Sequence, residues 1–228
     1  AAKAAGHSLT VFSYEPRRLA ESGIDAGVAN AGDVLAEVGG LQPWPRHFSD
    51  IFRVEGMRQG RGAWMDLDVV LLRQLPSDPY LMGLEDDANV CNAILRMPSD
   101  SDALRDYLAL CQRPLDVPPW WPARKALNFR WKRWLKRVRG KAPTRPRGLA
   151  GYLGPPALTH IVEAHGLEAW VRPPSALYPV HWKEARRLVE ESVQLYPDTI
   201  AVHAWRSSLF GTAGLAFPPR YSWLGYQC

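Results

Sequence analysis

The spacing of apolar residues changes several times along the chain, and each change marks a candidate element. Residues 7–14 (HSLTVFSY) alternate into an apolar run that predicts a strand, and Glu15-Pro16 ends it. A polar, glycine-containing stretch leads to Val34-Leu35. Over 48–57, Phe48, Ile51, Phe52 and Met57 recur at a helical period, with Ser49 placed as the N-cap. Gly60-Arg61-Gly62 predicts the end of that helix and a tight turn. Residues 63–72 (AWMDLDVVLL) then predict one strand, interrupted only by two carboxylates.

The second half continues the alternation. Residues 89–97 (NVCNAILRM) predict a buried strand, and Leu104, Tyr107, Leu108 and Cys111 form the stripe of a helix over 102–112. A helix over 156–165 has Pro near its start and Gly166 just past its end. Residues 168–172 and 200–205 predict late strands. Strands alternating with helices argue for an α/β domain, and no internal repeat is visible.

Composition changes this picture in three places. At 228 residues, with 46% hydrophobic and 22% charged residues, the chain suits one soluble domain. No apolar run approaches the roughly 18 residues of a membrane span, and no signal-peptide pattern opens the chain. The start, Ala1-Ala2-Lys3-Ala4-Ala5-Gly6-His7, lacks an initiator Met and reads like the tail of a helix closed by Gly6, so a preceding segment is expected. The formal charge of +5 is also uneven. No acidic residue lies between Asp116 and Glu163, whereas Arg124, Lys125, Arg130, Lys132, Arg133, Lys136, Arg137, Arg139, Lys141, Arg145 and Arg147 do. Without those eleven, 17 basic residues face 23 acidic ones, a net charge of −6. The basic character therefore belongs to an insertion at about 117–148, helix-compatible in its first half and Pro-rich in its second. Leu127, Phe129, Trp131, Trp134, Leu135 and Val138 are interleaved with its charges.

Cys91, Cys111 and Cys228 are far apart and odd in number, and no Cys/His spacing supports a zinc site. They read as buried or incidental thiols in a reducing compartment. The ten tryptophans, several beside Pro or Arg (Trp44, Trp120, Trp121, Trp131, Trp134), suit aromatic platforms for sugars or an interface, and core packing explains them equally well.

Asp66 and Asp68 carry the most chemical information. Charge inside an apolar strand has to be paired or bound to a cation. On a strand both side chains point to one face and can address one ligand. A hard divalent ion takes oxygen ligands and is held by one or two carboxylates plus substrate phosphates. Ligands of α/β sheets gather at the carboxyl ends of strands, where this pair would lie. Spacing alone leaves a second reading open, in which the aspartates cap a turn or pair with Arg.

Ser49-Asp50-x-x-Arg53, then Gly60-Arg61-Gly62-Ala63-Trp64-Met65-Asp66-Leu67-Asp68-Val69 and Leu72-Arg73-Gln74-Leu75, resembles the DXD sugar-binding region of glycosyltransferase family 32. It is also similar to the catalytic domain of clostridial glucosylating toxins. Arg61 stands in place of the family's first Gly, Trp64 fills its aromatic position, and Gln74 replaces a usual Pro. Leu153-Gly154-Pro155-x-x-Leu158-Thr159, Tyr178-Pro179 and Ala201-x-His203-x-Trp205-x-x-Ser208 resemble later family segments, with Leu209 in place of a closing Trp. The resemblance spans roughly residues 8–209.

It implies a GT-A-type, Rossmann-like single domain with a mixed central sheet, and a retaining, Mn²⁺- or Mg²⁺-dependent transfer from a nucleotide-sugar such as a UDP-sugar. Asp66 would contact ribose and donor sugar, and Asp68 would ligate the cation bridging the diphosphate. Asp50 would accept hydrogen bonds from sugar hydroxyls, Arg53 would orient sugar and phosphate, and Trp64 would belong to the same site. His203 would complete the metal shell or bond the diphosphate, or else be a buried structural histidine. Asn92 is a weaker donor-site candidate, and a satisfied core amide is favoured. Ser49, Gly154, Pro155, Trp205 and Ser208 complete the set. The acceptor would be a saccharide or a lipid-linked glycan of surface polysaccharide synthesis, handled in the bacterial cytoplasm at the inner membrane face. In the resembled fold a first strand that holds the base precedes the point where this chain starts.

Other classes compete. The basic, aromatic segment 124–147 suits an anionic membrane surface best, a solvated face next and nucleic acid least, because the charge sits in one insertion of an otherwise acidic chain. A phosphoryl transferase or phosphohydrolase lacks a Gly-x-x-x-x-Gly-Lys loop or a hydrolase signature here. A member that binds without turnover stays open.

Overall fold

The structure, a computed structural model, describes residues 5–36, 45–113, 116–140, 153–190, 193–206 and 208–209. Strand β1 (Thr10–Ser13) runs parallel to β2 (Gly27–Asn30), with Val11 opposite Val28. Helix α1 (Pro16–Glu21) makes the crossover, with Pro16 at its first position, where a missing N–H costs nothing. Helix α2 (Pro45–Arg58) follows and leads to β3 (Trp64–Met65) and β4 (Val69–Leu71). Strands β5 (Leu81–Leu84) and β6 (Val90–Arg96) form an antiparallel pair, and helices α3 (Asp102–Gln112), α4 (Ala123–Val138) and α5 (Pro155–Ala164) come next. Strand β7 (Val171–Arg172), short helices α6 (Pro174–Leu177) and α7 (Arg187–Glu190), and β8 (Ala201–His203) complete the order.

The largest sheet has the order β3-β6-β5-β7 and is mixed: β6 is antiparallel to β3 and β5, and β5 is parallel to β7. A separate antiparallel pair, β4 and β8, sets Val69 opposite His203. The sheet is covered on both faces, which the alternation of a strand makes visible. Adjacent Leu81 and Met82, both fully buried, join different clusters. Leu81 packs with Cys91, Ala93, Leu177, Tyr178 and Val202. Met82 packs with Val54, Met57, Leu104, Tyr107 and Leu158 beneath α2, α3 and α5. Among the described residues no helix is long and apolar enough to cross a membrane.

Polar pins fix these layers. Ser101 caps α3, its hydroxyl accepting from the Leu104 N–H at 3.2 Å. Thr159 on α5 donates to the Pro155 carbonyl and accepts from the Val90 N–H at 2.9 Å, tying α5 to the start of β6. The Tyr178 hydroxyl accepts from the Ile94 N–H at 2.9 Å. Tyr178 lies against Gly83, where a Cβ would come within 3.0 Å of Leu177 Cδ1 and 3.2 Å of the Tyr178 ring. Gly83→Val is therefore expected to overpack this contact and lower unfolding free energy by about 1–3 kcal/mol, read as an earlier midpoint in urea.

Three sequence expectations are corrected. Residues 63–72 do not form one strand: β3 and β4 belong to different sheets, and 66–68 turn between them. The Val69 N–H donates to the Asp66 carbonyl at 3.1 Å, placing Asp66 at the first position of a turn, which Asp favours. Leu67, apolar in the pattern, is 85% exposed at its tip. Ser49 is not an N-cap, because α2 starts at Pro45 and Ser49 lies inside it. Of 168–172, Glu168–Trp170 is a 3-10 turn and only Val171–Arg172 pairs as a strand. The stripe of α3 agrees with the structure, and Cys91 and Cys111 are buried free thiols. Trp44, residues 141–152 with the Pro-rich half of the insertion, and Cys228 lie outside the described residues.

Candidate active site

The site begins with how α2 ends. The Gly60 N–H bonds the Met57 carbonyl and the Arg61 N–H bonds the Gly56 carbonyl, a Schellman closure with Gly60 at φ +71°. Gly62, at φ +96°, turns the chain back so that β3 runs beside β6, with Trp64 opposite Leu95. The Asp66 N–H still reaches the Ala93 carbonyl at 2.8 Å, after which the chain leaves for β4. Asp66 and Asp68 thus sit where the chain changes sheets.

Asp50 and Arg53, one turn apart on α2, point at β6 and are buried. Arg53 donates from Nη1 to the Asn92 carbonyl (2.6 Å) and from Nε to the Ser49 carbonyl (3.3 Å). Its Nη2 lies 3.4 Å from Asp66 Oδ1 and 3.8 Å from Asp50 Oδ1. Burial would pull the guanidinium pKa down, but Asp66 and Asp50 outweigh it and raise it further. Asn92 Nδ2 donates to Asp50 Oδ1 at 3.1 Å. Trp64 Nε1 donates to Asp66 Oδ1 at 2.6 Å, with the Arg53 guanidinium 5.4 Å from its ring centroid. Asp66 is therefore held by an Arg and an indole, as the turn-and-Arg reading foresaw.

Asp68 is held from the other end of the chain. The Ala204 N–H donates to its carbonyl (2.7 Å), the Arg206 N–H donates to Oδ2 (2.9 Å), and His203 Nε2 lies 3.1 Å from Oδ1. Between them Trp205 adopts φ 51°, uncommon for a residue with a Cβ, and this bend turns the Arg206 N–H toward Asp68. Trp205 is buried, donates to the Val180 carbonyl (2.7 Å) and packs its ring 3.9 Å from that of His203. Burial would raise the Asp68 carboxyl, but His203 and the Arg206 N–H prevail, and it is lowered below its ordinary 3.8. A lowered carboxylate contributes stability that is present above the ordinary pKa and lost as pH falls through the folded value. With chelator present, wild-type unfolding free energy is expected to fall below about pH 4, and Asp68→Asn to flatten that acid limb in urea titrations.

Ligand atoms of Asp66, Asp68 and His203 all lie within 4.8 Å of one another. An ionised carboxylate only accepts, so Nε2 of His203 carries the proton toward Asp68, and buried Nδ1 has no partner among the described residues. Two half-buried carboxylates suit a hard divalent ion. His203 would join the shell through Nε2 in the other neutral tautomer, with the ring proton on Nδ1.

A cavity of about 670 Å³ opens beside these groups. Residues 8–12 of the β1 segment wall one side, residues 61–68 the other, and Ser49, Phe52 and Arg53 the floor. Rings of Tyr14, Phe48, Phe52 and Trp64 follow one another at about 6 Å along it. The volume falls in the range of small-ligand sites.

Asp66, Asp68, Ser49, Arg53 and Trp64 line the cavity. His203 stands behind Asp68, and Asp50 and Asn92 stand behind Arg53, buried and bonded to each other. Gly154 and Pro155 open α5 and are not among the residues lining the cavity, and Ser208 donates its N–H to the Trp205 carbonyl. Sequence reasoning missed the β1 wall and the Arg206 N–H. A backbone donor leaves no mark in residue identity. Among known proteins, no family model, no curated protein and no solved structure matches the chain.

Proposed function

We propose that this chain is a metal-dependent, retaining glycosyltransferase of GT-A type, moving a sugar from a nucleotide-sugar, a UDP-sugar first, to a saccharide or lipid-linked acceptor in the bacterial cytoplasm. One observation carries the reading: ligand atoms of Asp66, Asp68 and His203 lie within 4.8 Å of one another, and the two aspartates line a small-ligand-sized cavity together with Ser49, Arg53 and Trp64. Mn²⁺ or Mg²⁺, when bound, neutralises charge developing on the departing diphosphate. The protein groups have separate tasks. Asp66 and Asp68 present carboxylate oxygens, with Trp64 and Arg53 fixing the first and His203 and the Arg206 N–H fixing the second. Asp50, buried beside Asn92, positions Arg53. The half-buried Trp64 ring, beside Asp66 on the cavity wall, suits the flat face of a base or sugar.

The test is a panel of UDP-sugars assayed for Mn²⁺-dependent release of UDP, with thermal unfolding in Mn²⁺ as a second readout. UDP release with one sugar, together with a raised midpoint in Mn²⁺, supports the reading. No release and no shift overturns it. A competing reading has its own observation: both carboxylates already have protein partners, which a purely structural knot explains. No shift in midpoint with Mn²⁺ or UDP would favour that structural knot, and a raised midpoint with both but no turnover with any sugar would favour a protein that binds without turnover.

A further inference from the structure

Helix α4 contains no buried residue. Leu127, Trp131, Trp134 and Val138 follow at intervals of four, three and four, one stripe on a helix, and are 63%, 59%, 52% and 64% exposed. Trp131 and Trp134 stack on each other, ring centroids 5.0 Å apart and planes at 27°. At the start of the helix Phe129 packs edge-on against Trp121 at 5.7 Å, and the Lys125 ammonium sits 4.1 Å over the Trp121 ring.

Its charges make the helix costly in isolation. Arg124, Lys125, Arg130, Lys132, Arg133, Lys136 and Arg137 lie within it, with no acidic residue. Arg124 and Lys125 face the positive end of the helix dipole, and Pro122 supplies no side-chain cap. Neighbours such as Lys132 and Lys136 are like charges four apart, which destabilises a helix. At about 100° per residue, Arg130 and Arg137 run along one flank of the apolar stripe and Arg124 along the other. An anionic surface that also accepts apolar side chains would relieve both faults.

We propose that α4 is a docking element for an anionic lipid bilayer, lying in the headgroup plane with Leu127, Trp131, Trp134 and Val138 in the acyl boundary. Charge complementarity selects this occupant. A second copy of the chain would bring a second cationic helix against the first. Nucleic acid would accept the arginines and stack on the tryptophans, but Leu127 and Val138 have no place against phosphates or base faces. Trp and basic residues on one helix are the composition of interfacial helices. The inference rests on α4 alone and does not depend on the transferase reading.

Co-sedimentation of the full chain with vesicles tests it, using phosphatidylcholine alone or with phosphatidylglycerol as one third of the lipid. Wild-type protein is expected to pellet with the anionic vesicles and stay in solution with the neutral ones. Trp131→Ala with Trp134→Ala is expected to weaken partitioning by about 10-fold or more. Arg130→Gln with Arg137→Gln is expected to weaken it by about fivefold per charge. Since these side chains are exposed, the variants' thermal midpoints are expected to match wild type. Quenching of wild-type fluorescence by bromine-labelled anionic lipid needs no variant and is expected as well. Equal binding to neutral vesicles, no binding to either, or an unaffected double-Trp variant would overturn the proposal. So would duplex DNA binding that outcompetes the vesicles, or a dimer in sedimentation velocity that the Trp substitutions dissolve.

Discussion

Asp68→Asn is expected to remove Mn²⁺-stimulated UDP-sugar turnover by about a thousandfold or more while leaving the fold in place. The substitution keeps the shape of the side chain, so the Ala204 N–H still reaches the main-chain oxygen of residue 68 and the turn between β3 and β4 persists. What is lost is charge. A neutral amide is a poor ligand for a hard cation, and on the proposed transferase reading losing the cation would forfeit several kcal/mol of charge stabilisation at the leaving diphosphate. About 4 kcal/mol corresponds to the thousandfold effect. His203→Ala is expected to cost less, about 10–100-fold, because it orients Asp68 at 3.1 Å from behind. Mn²⁺ binding followed by thermal unfolding separates the cause from a general defect: Asp68→Asn is expected to unfold at the same midpoint with and without Mn²⁺. Wild-type rates in Mn²⁺ from this variant would sink the assignment of Asp68.

Much of the scaffold around this site was legible in the sequence, for reasons that differ by element. Helix α3 runs Asp102–Gln112, the residues its stripe predicts, because Ser101 is a strong cap and five buried positions follow one face. Strand β6 was legible because a run buried on both faces is apolar nearly throughout. The pair Asp66 and Asp68 was legible as chemistry but not as geometry. A short apolar run around two aspartates satisfies a strand and a turn equally, and only the pairing of β4 with β8, far along the chain, decides for the turn. Its consequence is concrete: the two carboxylates converge because the backbone reverses between them, and strand alternation has no part in it. The cavity's other wall was not legible at all. Residues 8–12 look like any half-buried strand, and nothing local says that they face the aspartates. The same limit explains Asp50, whose type and spacing suit sugar binding but whose burial depends on β6 lying across α2.

The largest stability effect is expected at Arg53. Arg53→Met preserves the length of the side chain and its packing beside Trp64, yet takes the guanidinium away from two carboxylates. Asp50 is buried and Asp66 half-buried, and the guanidinium is the one cation placed between them among the described ion pairs. It also satisfies the carbonyls of Asn92 and Ser49. Removing one partner of a buried charge network leaves the others uncompensated, a loss of about 3–5 kcal/mol. For a chain of this size that lowers the thermal midpoint by roughly 10 °C. Arg53→Lys keeps the charge but cannot reach Asp66, Asn92 and Ser49 with one fork, so it is expected to fall between wild type and Arg53→Met. Adding Asp50→Asn to Arg53→Met removes one of the two carboxylate charges the guanidinium faced, so the double variant is expected to unfold later than the Arg53→Met single variant. If Arg53→Met unfolds within a degree or two of wild type, the network is not holding α2 to β6. Asp66 would then depend on the Trp64 indole, and the site would have to be rebuilt on that single contact.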